Sequence, residues 1–599
     1  MRTFIEVLRD NAVHTDRAVT FVRAAGEERI VGYPDLWLEA RRRAHALLSL
    51  GLQPGDRVAL ILPEPDEFVL TFMGALTAGL VAVPIYPPQT LAKMEAYGDT
   101  VRHVLAASGA RLLVTSEALR PLIAQHLVAD GAGARIVTER EVREAAGFHG
   151  QAPPPVSLED LAFLQFTSGS TSRPKGVMVT HRNLSVNSHA IMFDGLESTP
   201  EDRGVSWLPL YHDMGLIGFV VAPLYALVQV MFLPTMAFIR RPSLWLDAIH
   251  RFRGTITFAP NFAFALATRA VTEAQAKSWD LSCMRALGCG AEPIQAEVLR
   301  AFLGRFARQG LRPESILPSY GMAEATLAIT FSGIDAPLTT DRVDVDAMRT
   351  GRARASRDPA AMELVSCGRA FPGHEIAVVD GDGRHLGERE VGEVRLRGPS
   401  VTAGYFGDAE ATREAFADGW LKTGDLGYQA GGQLYICGRA KDLIILNGKN
   451  YYPQDIERVV SRVDGVRDGQ CVAFSRLDAS GAEIAVVVAE TRKGTAGISA
   501  AIVSAVRAEL GLTLAEVCCI KRGTLPKTSS GKVRRREAKR RLDEAELELV
   551  SENDLDSVDA VISVAPPPLS QSEPPPAPPR SLRPAPLSVA LQGAADGIQ

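Results

Sequence analysis

A chain of 599 residues is too long for a single hydrophobic core and predicts several domain-sized units. Its net charge of −5 gives no electrostatic reason to expect nucleic acid as a partner. The seven cysteines have neither the paired spacing of a zinc site nor the density of a disulfide framework, so we expect a reducing, cytoplasmic location.

The first ten residues carry charge throughout and lack the apolar stretch of a signal peptide, so they predict a short amphipathic helix. Short aliphatic runs then alternate with helix-like patterns; the runs 57–62 and 112–115 and the patterns 67–78 and 100–108 are examples. Such alternation predicts an α/β fold, with parallel sheets covered by helices.

The aliphatic run 161–166 leads into the loop Phe166-Thr-Ser-Gly-Ser-Thr-Ser-Arg-Pro-Lys-Gly176. Gly169 allows consecutive N–H groups to converge on an anion, and Lys175 adds a cation. Hydroxyl donors come from Thr167, Ser168, Ser170 and Thr171. The pattern predicts a phosphate-binding loop that is not of the Walker type; a polar surface turn is the alternative.

With this loop the chain resembles the adenylate-forming enzymes, a superfamily of acyl-CoA synthetases, luciferases and peptide-synthetase adenylation domains. The resemblance implies that the loop holds the β- and γ-phosphates of ATP and that Thr171 contributes to binding Mg²⁺.

The segment Leu208-Pro-Leu-Tyr-His-Asp-Met-Gly215 bears on the acid substrate. Amino-acid adenylation domains generally place an aspartate where His212 falls, to pair with the substrate ammonium. The imidazole implies an acid without an α-amine and makes His212 a candidate catalytic residue. Apolar side chains nearby could line an acyl tunnel or simply fill the core; they are Trp207, Met214, Phe219, Phe232, Phe238, Phe258, Phe262 and Phe264.

The uncharged stretch 215–234 is long enough to suggest a membrane span. Pro223, Gln229 and Pro234 divide it, however. A buried helix followed by a buried strand is therefore the better prediction, and we expect no membrane span.

Two glycine-containing segments follow, Cys289-Gly-Ala-Glu-Pro293 and Ser319-Tyr-Gly-Met-Ala-Glu324. The resemblance implies that they form the adenine pocket, that Tyr320 stacks on adenine, and that Glu324 holds Mg²⁺ and is catalytic. Each segment alone could be a buried glycine turn. The remaining nucleotide-binding candidates here are Gly290, Ala291, Glu292, Ser319, Gly321, Met322 and Ala323.

The strands 375–380, 392–397 and 432–437 predict a small antiparallel, barrel-like β unit. In Trp420-Leu-Lys-Thr-Gly-Asp-Leu-Gly427, Asp425 has two oxygens that match the two ribose hydroxyls. The resemblance implies that Arg439 contacts ribose or phosphate and that Lys441 is a hinge. A plain surface ion pair of Asp425 with Arg439 is the alternative.

A boundary near Gly438 separates an N-terminal adenylation domain, 1–437, from a small mobile α+β domain, 438–548. The latter ends in Leu525-Pro-Lys-Thr-Ser-Ser-Gly-Lys-Val-Arg534, whose Lys532 matches the family lysine that swings into the active site. In that role the Lys532 ammonium would neutralise negative charge as the carboxylate attacks the α-phosphate. The basic runs 534–536 and 539–541 could instead contact nucleic acid, which the overall acidity disfavours.

Within the superfamily the chain most resembles the fatty acyl-AMP ligases, which deliver the acyl group to the phosphopantetheine of an acyl carrier protein. Three stretches carry this resemblance: 205–215, 258–264 and 446–457. The stretch 331–365, between the motif that ends at Glu324 and the segment that begins at Cys367, is longer than in ordinary acyl-CoA synthetases. It could correspond to the insertion that biases these ligases against coenzyme A. The alternative is a surface loop.

From residue 549 the chain becomes acidic and then proline-rich, which predicts a disordered, semi-rigid spacer over 549–599. No carrier motif lies in the sequence, so either the carrier is a separate protein or the chain is one end of something longer.

The sequence thus predicts ATP- and Mg²⁺-dependent activation of a medium- or long-chain fatty acid, followed by transfer to a carrier thiol. The alternatives are an acyl-CoA synthetase and a non-catalytic lipid- or nucleotide-binding module.

Overall fold

The structure is a computed structural model that describes residues 1–88, 94–127, 134–167, 173–446, 449–478, 483–491, 497–528 and 533–550. Two large sheets dominate its first 330 residues. A six-stranded sheet has five parallel strands and one antiparallel edge, in the spatial order Arg135–Thr138, Leu112–Thr115, Arg57–Ile61, Val81–Pro84, Leu161–Thr167 and Lys175–Thr180.

The second sheet has nine strands, of which the central six are parallel. Their order is Arg369–Ala370, Ala328–Phe331, Ile316–Gly321, Ala286–Cys289, Ile256–Ala259, Arg203–Ser206, Gln229–Phe232, Ala18–Val22 and Glu28–Gly32. Predicted strands 57–62 and 112–115 are present, and the α/β fold class is confirmed.

Strand Arg57–Ile61 explains how the six-stranded sheet is covered on both faces. Side chains alternate along a strand, so Val58 and Leu60 join the large core shared with the nine-stranded sheet, while Ala59 and Ile61 join a second core. A sheet buried on both faces needs a continuous aliphatic run, as the sequence has here.

Helices cover these sheets, and the first of them begins with a capping box in which Thr3 and Glu6 satisfy each other's backbone N–H groups. They are Phe4–Asn11, Tyr33–Ser49, Pro65–Thr77, Met94–Ser108, Arg120–Leu127, Glu139–Arg143, His181–His189, Thr235–Arg240, Ser243–Phe252, Asn261–Ala270, Glu273–Ala276 and Ala296–Phe306. The helix predicted at 100–108 begins six residues earlier, at Met94.

The uncharged stretch forms helical turns over Asp213–Gly215, Leu216–Val221 and Ala222–Tyr225, then the buried strand Gln229–Phe232. This agrees with the predicted helix and strand. Across the part of the chain that the structure describes, none of the helices has both the length and the apolar character needed to cross a bilayer.

A five-stranded antiparallel unit follows, as predicted. It contains Glu375–Val379, Gly392–Arg397, Phe416–Ala417, Trp420–Ala430 and Gln433–Arg439, with helix Ala409–Ala415 before Phe416. The segment 331–365 is also ordered: strands Thr340–Val343 and Met362–Val365 pair around helix Val345–Arg349. We call residues 340–365 the hairpin segment.

The C-terminal part has its own small cores. Strands Val466–Leu477, Glu483–Thr491 and Glu516–Ile520 form one sheet and Ile444–Leu446 and Lys449–Tyr451 a short pair, with helices Pro453–Ser461, Ile498–Leu510 and Arg535–Asp543. The domain boundary at Gly438 stays a prediction, and the tail from residue 551 lies outside the described residues.

Candidate active site

Asp425 lies at the centre of a charged cluster where strand Trp420–Ala430 meets strand Gln433–Arg439. The Tyr320 hydroxyl donates to Asp425 Oδ2 at 2.6 Å, and Arg439 Nε lies 2.7 Å from Asp425 Oδ1. Burial and the Asp425 carboxylate raise the pKa of Tyr320 well above its usual value, so the phenol remains a donor. The cluster joins three of the predicted nucleotide-binding residues.

The alternative of a plain surface ion pair does not describe this cluster. The Asp425 side chain is 8% exposed, although that of Arg439 is 53% exposed. Asp425 is further fixed by its own N–H, which donates to Thr423 Oγ1 at 3.0 Å, and Arg439 reaches back to the Thr423 carbonyl at 3.1 Å. A carboxylate has about four acceptor positions, so hydroxyls of a sugar can still be accommodated.

Tyr405 is a site residue that the sequence analysis missed. Its hydroxyl donates to Glu324 Oε1 at 2.8 Å, and Lys175 Nζ lies 5.2 Å from the centre of its ring. Backbone pairing holds it in place, since Met178 N–H donates to the Gly404 carbonyl and Phe406 N–H to the Gly176 carbonyl. Tyr405 therefore connects the predicted phosphate-binding lysine to the predicted metal ligand.

We expect Tyr405→Phe to lower the predicted adenylation activity, measured as pyrophosphate exchange, by about 10-fold, because Glu324 loses a donor while the ring over Lys175 stays. Burial and Glu324 raise the pKa of Tyr405, so the hydroxyl donates throughout the pH range of an assay. Tyr428→Phe is the matched control, since that hydroxyl donates to Asp341 at 2.8 Å in the antiparallel unit. Equal activity of Tyr405→Phe and wild type would contradict the prediction.

The strands before and after the predicted phosphate loop are paired with each other up to the residues that flank the loop. Thr167 and Lys175 are partners across the antiparallel pair Leu161–Thr167 and Lys175–Thr180. Ser168, Gly169, Ser170 and Thr171, predicted to bind phosphate, lie outside the described residues.

The predicted adenine wall brings its two segments into close contact. A Cβ on Gly290 would lie 2.6 Å from Ser319 Oγ, and that hydroxyl donates to the Cys289 carbonyl at 3.1 Å. Ala291 has a φ of 69°, a conformation uncommon outside glycine. The Glu292 carboxylate accepts the Phe262 N–H at 2.6 Å and so stabilises the start of helix Asn261–Ala270.

The remaining candidates of the second segment lie on a strand and the turn after it. Gly321 has no room for a side chain, because a Cβ would lie 1.8 Å from the Leu327 carbonyl oxygen. Met322 leads from strand Ile316–Gly321 into the short turn Ala323–Ala325, in which Ala323 is buried and Glu324 is half-buried.

An apolar cavity adjoins this wall. Its lining includes Ala291, Ser319, Tyr320 and Gly321 on the side of the predicted adenine wall and, on the other side, Met192, Met214, Phe219, Phe258 and Phe331. Of the eight apolar side chains proposed for a tunnel, Met214, Phe219 and Phe258 line this cavity. Four others pack in the core, namely Trp207, Phe232, Phe238 and Phe264; the Trp207 and Phe238 ring centroids are 3.8 Å apart.

His212 comes immediately before the turn Asp213–Gly215 and is not among the residues that line the cavity. Its ring centroid is 5.0 Å from that of Tyr211, and its N–H donates to the Pro209 carbonyl at 3.2 Å. Asp213 and Met214 line the cavity, and Asp213 Oδ1 accepts the Met214 N–H at 2.8 Å.

The predicted hinge lies in a short turn, Ala440–Asp442, where Lys441 is exposed. Asp442 is held by Arg535, which also donates to Glu457 and to the Ala473 carbonyl. Lys532 lies outside the described residues. The described residues on either side of it are joined by a bridge between Lys527 and Val533 and by the Arg534 N–H, which donates to the Pro526 carbonyl at 2.8 Å.

The described residues fit a magnesium ion that is shared with a substrate. Glu324 supplies a carboxylate, the hard oxygen ligand that Mg²⁺ prefers. Among the residues the structure describes there is no cluster of three or more His, Cys, Asp or Glu side chains that could enclose a metal. One carboxylate together with phosphate oxygens is a usual way of holding Mg²⁺.

Comparisons with known proteins identify the family. Residues 8–406 match the family model of AMP-binding enzymes, and residues 441–552 match the model for a Disco-interacting protein 2-like AMP domain.

Two relatives and one solved structure illustrate the similarity. A putative acyl-CoA synthetase of Caulobacter vibrioides is 39% identical and covers 85% of this chain and 89% of that protein. The long-chain-fatty-acid–AMP ligase FadD26 of Mycobacterium tuberculosis is 34% identical, covering 82% of this chain and 88% of its own length. A structure from studies of fatty acyl-adenylate ligases of E. coli and L. pneumophila has 36% identity and a TM-score of 0.86, covering 91% of this chain and 98% of that one.

The matching fold, the similar relatives and a family model that covers about two thirds of the sequence lead to one assignment. The chain belongs to the AMP-binding enzymes of the adenylate-forming superfamily and is a ligase of the fatty acyl-AMP ligase family.

Proposed function

We propose that this enzyme activates a medium- or long-chain fatty acid with ATP and transfers the acyl group to the phosphopantetheine thiol of an acyl carrier protein. ATP is the nucleotide that AMP-binding enzymes use. The observation that carries the proposal is the junction of the charged cluster with the apolar cavity. Tyr320 belongs to both, because its hydroxyl binds Asp425 while the residue lines the cavity.

In the first half-reaction a carboxylate oxygen of the acid attacks the α-phosphorus of ATP. A P–O bond forms, the bond to the β-phosphate breaks, and pyrophosphate leaves. We propose that Asp425 and Arg439 hold the ribose, that Lys175 and the loop 167–171 hold the β- and γ-phosphates, and that Glu324 and Thr171 hold Mg²⁺. The metal ion, when bound, supplies neutralisation of phosphate charge.

Lys532 is proposed to stabilise the charge that develops between carboxylate and α-phosphate. In the second half-reaction the carrier thiol attacks the acyl carbonyl and AMP leaves. His212, the chain neighbour of the cavity-lining Asp213, is proposed to lie near the acid carboxylate. The FadD26 relative, named for a long-chain fatty acid, supports the class of acid. All seven cysteines are free thiols, six of them buried, which supports a reducing compartment such as the cytoplasm.

A second candidate function is acyl transfer to free coenzyme A, favoured by the name of the Caulobacter relative, a putative acyl-CoA synthetase. We propose that the hairpin segment biases the enzyme against coenzyme A. Its contacts support this: Arg349 donates to the Leu510 carbonyl at the end of helix Ile498–Leu510 and lies 5.0 Å over the ring of Tyr451. Tyr452 shares a core with Val343 and Met348. The segment thus packs against the C-terminal part rather than lying loose on the surface.

The deciding experiment supplies the enzyme with mixed fatty acids, ATP and Mg²⁺, and then adds either coenzyme A or a phosphopantetheinylated carrier protein. We expect acyl-AMP and pyrophosphate in both cases, and acyl transfer to the carrier only. Rapid formation of acyl-CoA would instead establish the synthetase function. Absence of acyl-AMP with every acid would support a non-catalytic binding module.

We further expect Arg349→Ala to raise the rate of acyl-CoA formation by about 10-fold, because the hairpin segment loses one charge-assisted contact to the C-terminal part. Acyl-AMP formation should stay unchanged. Arg352→Ala is the control, since Arg352 pairs with Glu390 at 2.8 Å on the exposed surface. Unchanged thioester formation in Arg349→Ala would speak against a role of these contacts.

A further inference from the structure

Thr326 adopts a backbone conformation that is unfavourable for its residue type. Its φ is 71° and its ψ is −65°. The Leu327 N–H donates to the Ala325 carbonyl at 2.9 Å, which closes a three-residue γ-turn around Thr326. This positive-φ form of the γ-turn is rare and strained, and a β-branched side chain increases the strain. Such a conformation persists only when its surroundings impose it.

The surroundings that impose it are a chain of buried polar contacts. Thr326 is fully buried and its Oγ1 donates to the Ser400 carbonyl at 2.6 Å. The Ser400 hydroxyl lies 2.8 Å from His374 Nε2 and 3.0 Å from Asn187 Nδ2. Asn187 also bonds both the N–H and the carbonyl of Ala328, two residues after Thr326.

These contacts tie the turn to the segment that supports Glu324. Ser400, bonded to Thr326, is followed by Thr402, whose N–H donates to the Glu324 carbonyl at 2.9 Å. Tyr405 comes three residues later and donates to the Glu324 carboxylate. The backbone and the side chain of Glu324 are thus both held by the stretch 402–405, and Thr326 holds Ser400, two residues before that stretch.

We propose that Thr326 is a positioning residue whose hydroxyl and strained turn aim the Glu324 carboxylate at the phosphate site. The inference rests on the proposed function, since it assigns Thr326 a part in the same adenylation site. Thr326 itself touches neither substrate nor metal. Its hydroxyl acts by holding the Ser400 backbone, and the turn acts by reversing the chain directly after Glu324.

The test compares Thr326→Val with Thr326→Ser. Valine keeps the β-branched shape but removes the hydroxyl, and serine keeps the hydroxyl. Thr115→Val is the matched control, because Thr115 is equally buried and its hydroxyl donates to the Ile61 carbonyl at 3.0 Å in the six-stranded sheet. Should Thr326→Val be insoluble, Thr326→Ala removes the same hydroxyl without added bulk.

Two readouts are measured: the Mg²⁺ concentration that half-saturates pyrophosphate exchange, and the Mg²⁺-dependent affinity for a non-hydrolysable ATP analogue by calorimetry. We expect Thr326→Val to weaken both by about 10-fold, a typical effect of losing a group that supports a metal ligand. Thr326→Ser should stay within about 2-fold of wild type, and Thr115→Val should lose thermal stability only.

The inference is overturned if Thr326→Val and Thr115→Val show the same Mg²⁺ dependence, or if serine fails to restore it. Either result would leave the proposed function intact. That function fails separately, if the wild-type enzyme shows no exchange with any fatty acid.

Discussion

Replacing Lys532 by alanine is expected to reduce acyl-AMP formation by about 100- to 1,000-fold, the usual cost of removing a group that stabilises charge in a transition state. The carboxylate of the acid and the α-phosphate are both anionic, so their approach depends on a cation between them. ATP affinity should change little, since Lys175 and the loop 167–171 are proposed to carry the triphosphate. The measurement is acyl-AMP by mass spectrometry under single-turnover conditions, with ATP binding measured in parallel.

Lys521→Ala is the control for this prediction. Lys521 is an exposed lysine of the same C-terminal part, and its ammonium lies 3.0 Å from Glu548 on the surface. Surface pairs of this kind contribute little, so this variant should form acyl-AMP at the wild-type rate. If Lys532→Ala formed acyl-AMP at the wild-type rate, Lys532 would have no role in adenylation.

Asp425→Ala is expected to lower kcat/KM for ATP by about 100-fold, since it removes the proposed ribose acceptor and leaves two donors without their partner. Tyr320 and Arg439 would both lose this acceptor, and the guanidinium would keep only its bond to the Thr423 carbonyl. The loss should appear mainly in KM for ATP. Steady-state pyrophosphate exchange over a range of ATP concentrations measures it.

The chain offers a closely matched control for Asp425. Asp341 is likewise buried and accepts from a tyrosine and an arginine, Tyr428 at 2.8 Å and Arg389 at 3.0 Å. Asp341→Ala should cost similar stability yet keep the KM for ATP. If both variants bind ATP equally well, Asp425 has a structural role only.

Much of the fold could be predicted because aliphatic runs and turn residues are local signals. Strands such as Arg57–Ile61 and Leu112–Thr115 follow directly from their composition. The Asp425, Arg439 and Tyr320 cluster was also predictable, since its members lie in recognisable motifs.

The rest depends on contacts between distant parts of the chain. Tyr405 reaches Glu324 only because residues 404–406 pair with residues 176–178. That long-range pairing cannot be predicted from a single sequence. For the same reason the aromatic side chains could not be divided between cavity and core. Phe258, on strand Ile256–Ala259, lines the cavity, whereas Phe264, on helix Asn261–Ala270, packs in the core. The strain at Thr326 is invisible in a sequence, because threonine there predicts an extended residue.

The ion pairs around the short turn Ala440–Asp442 limit where the proposed rotation of the C-terminal part could occur. Arg439 is anchored to Asp425 and Thr423 on one side, while Asp442 is anchored through Arg535 to Glu457 on the other. If each anchor is kept, the torsion has to be absorbed by Ala440 and Lys441 alone. Under that proposal these two residues form the hinge, and replacing either of them with proline is expected to hinder the passage from adenylate formation to the proposed acyl transfer.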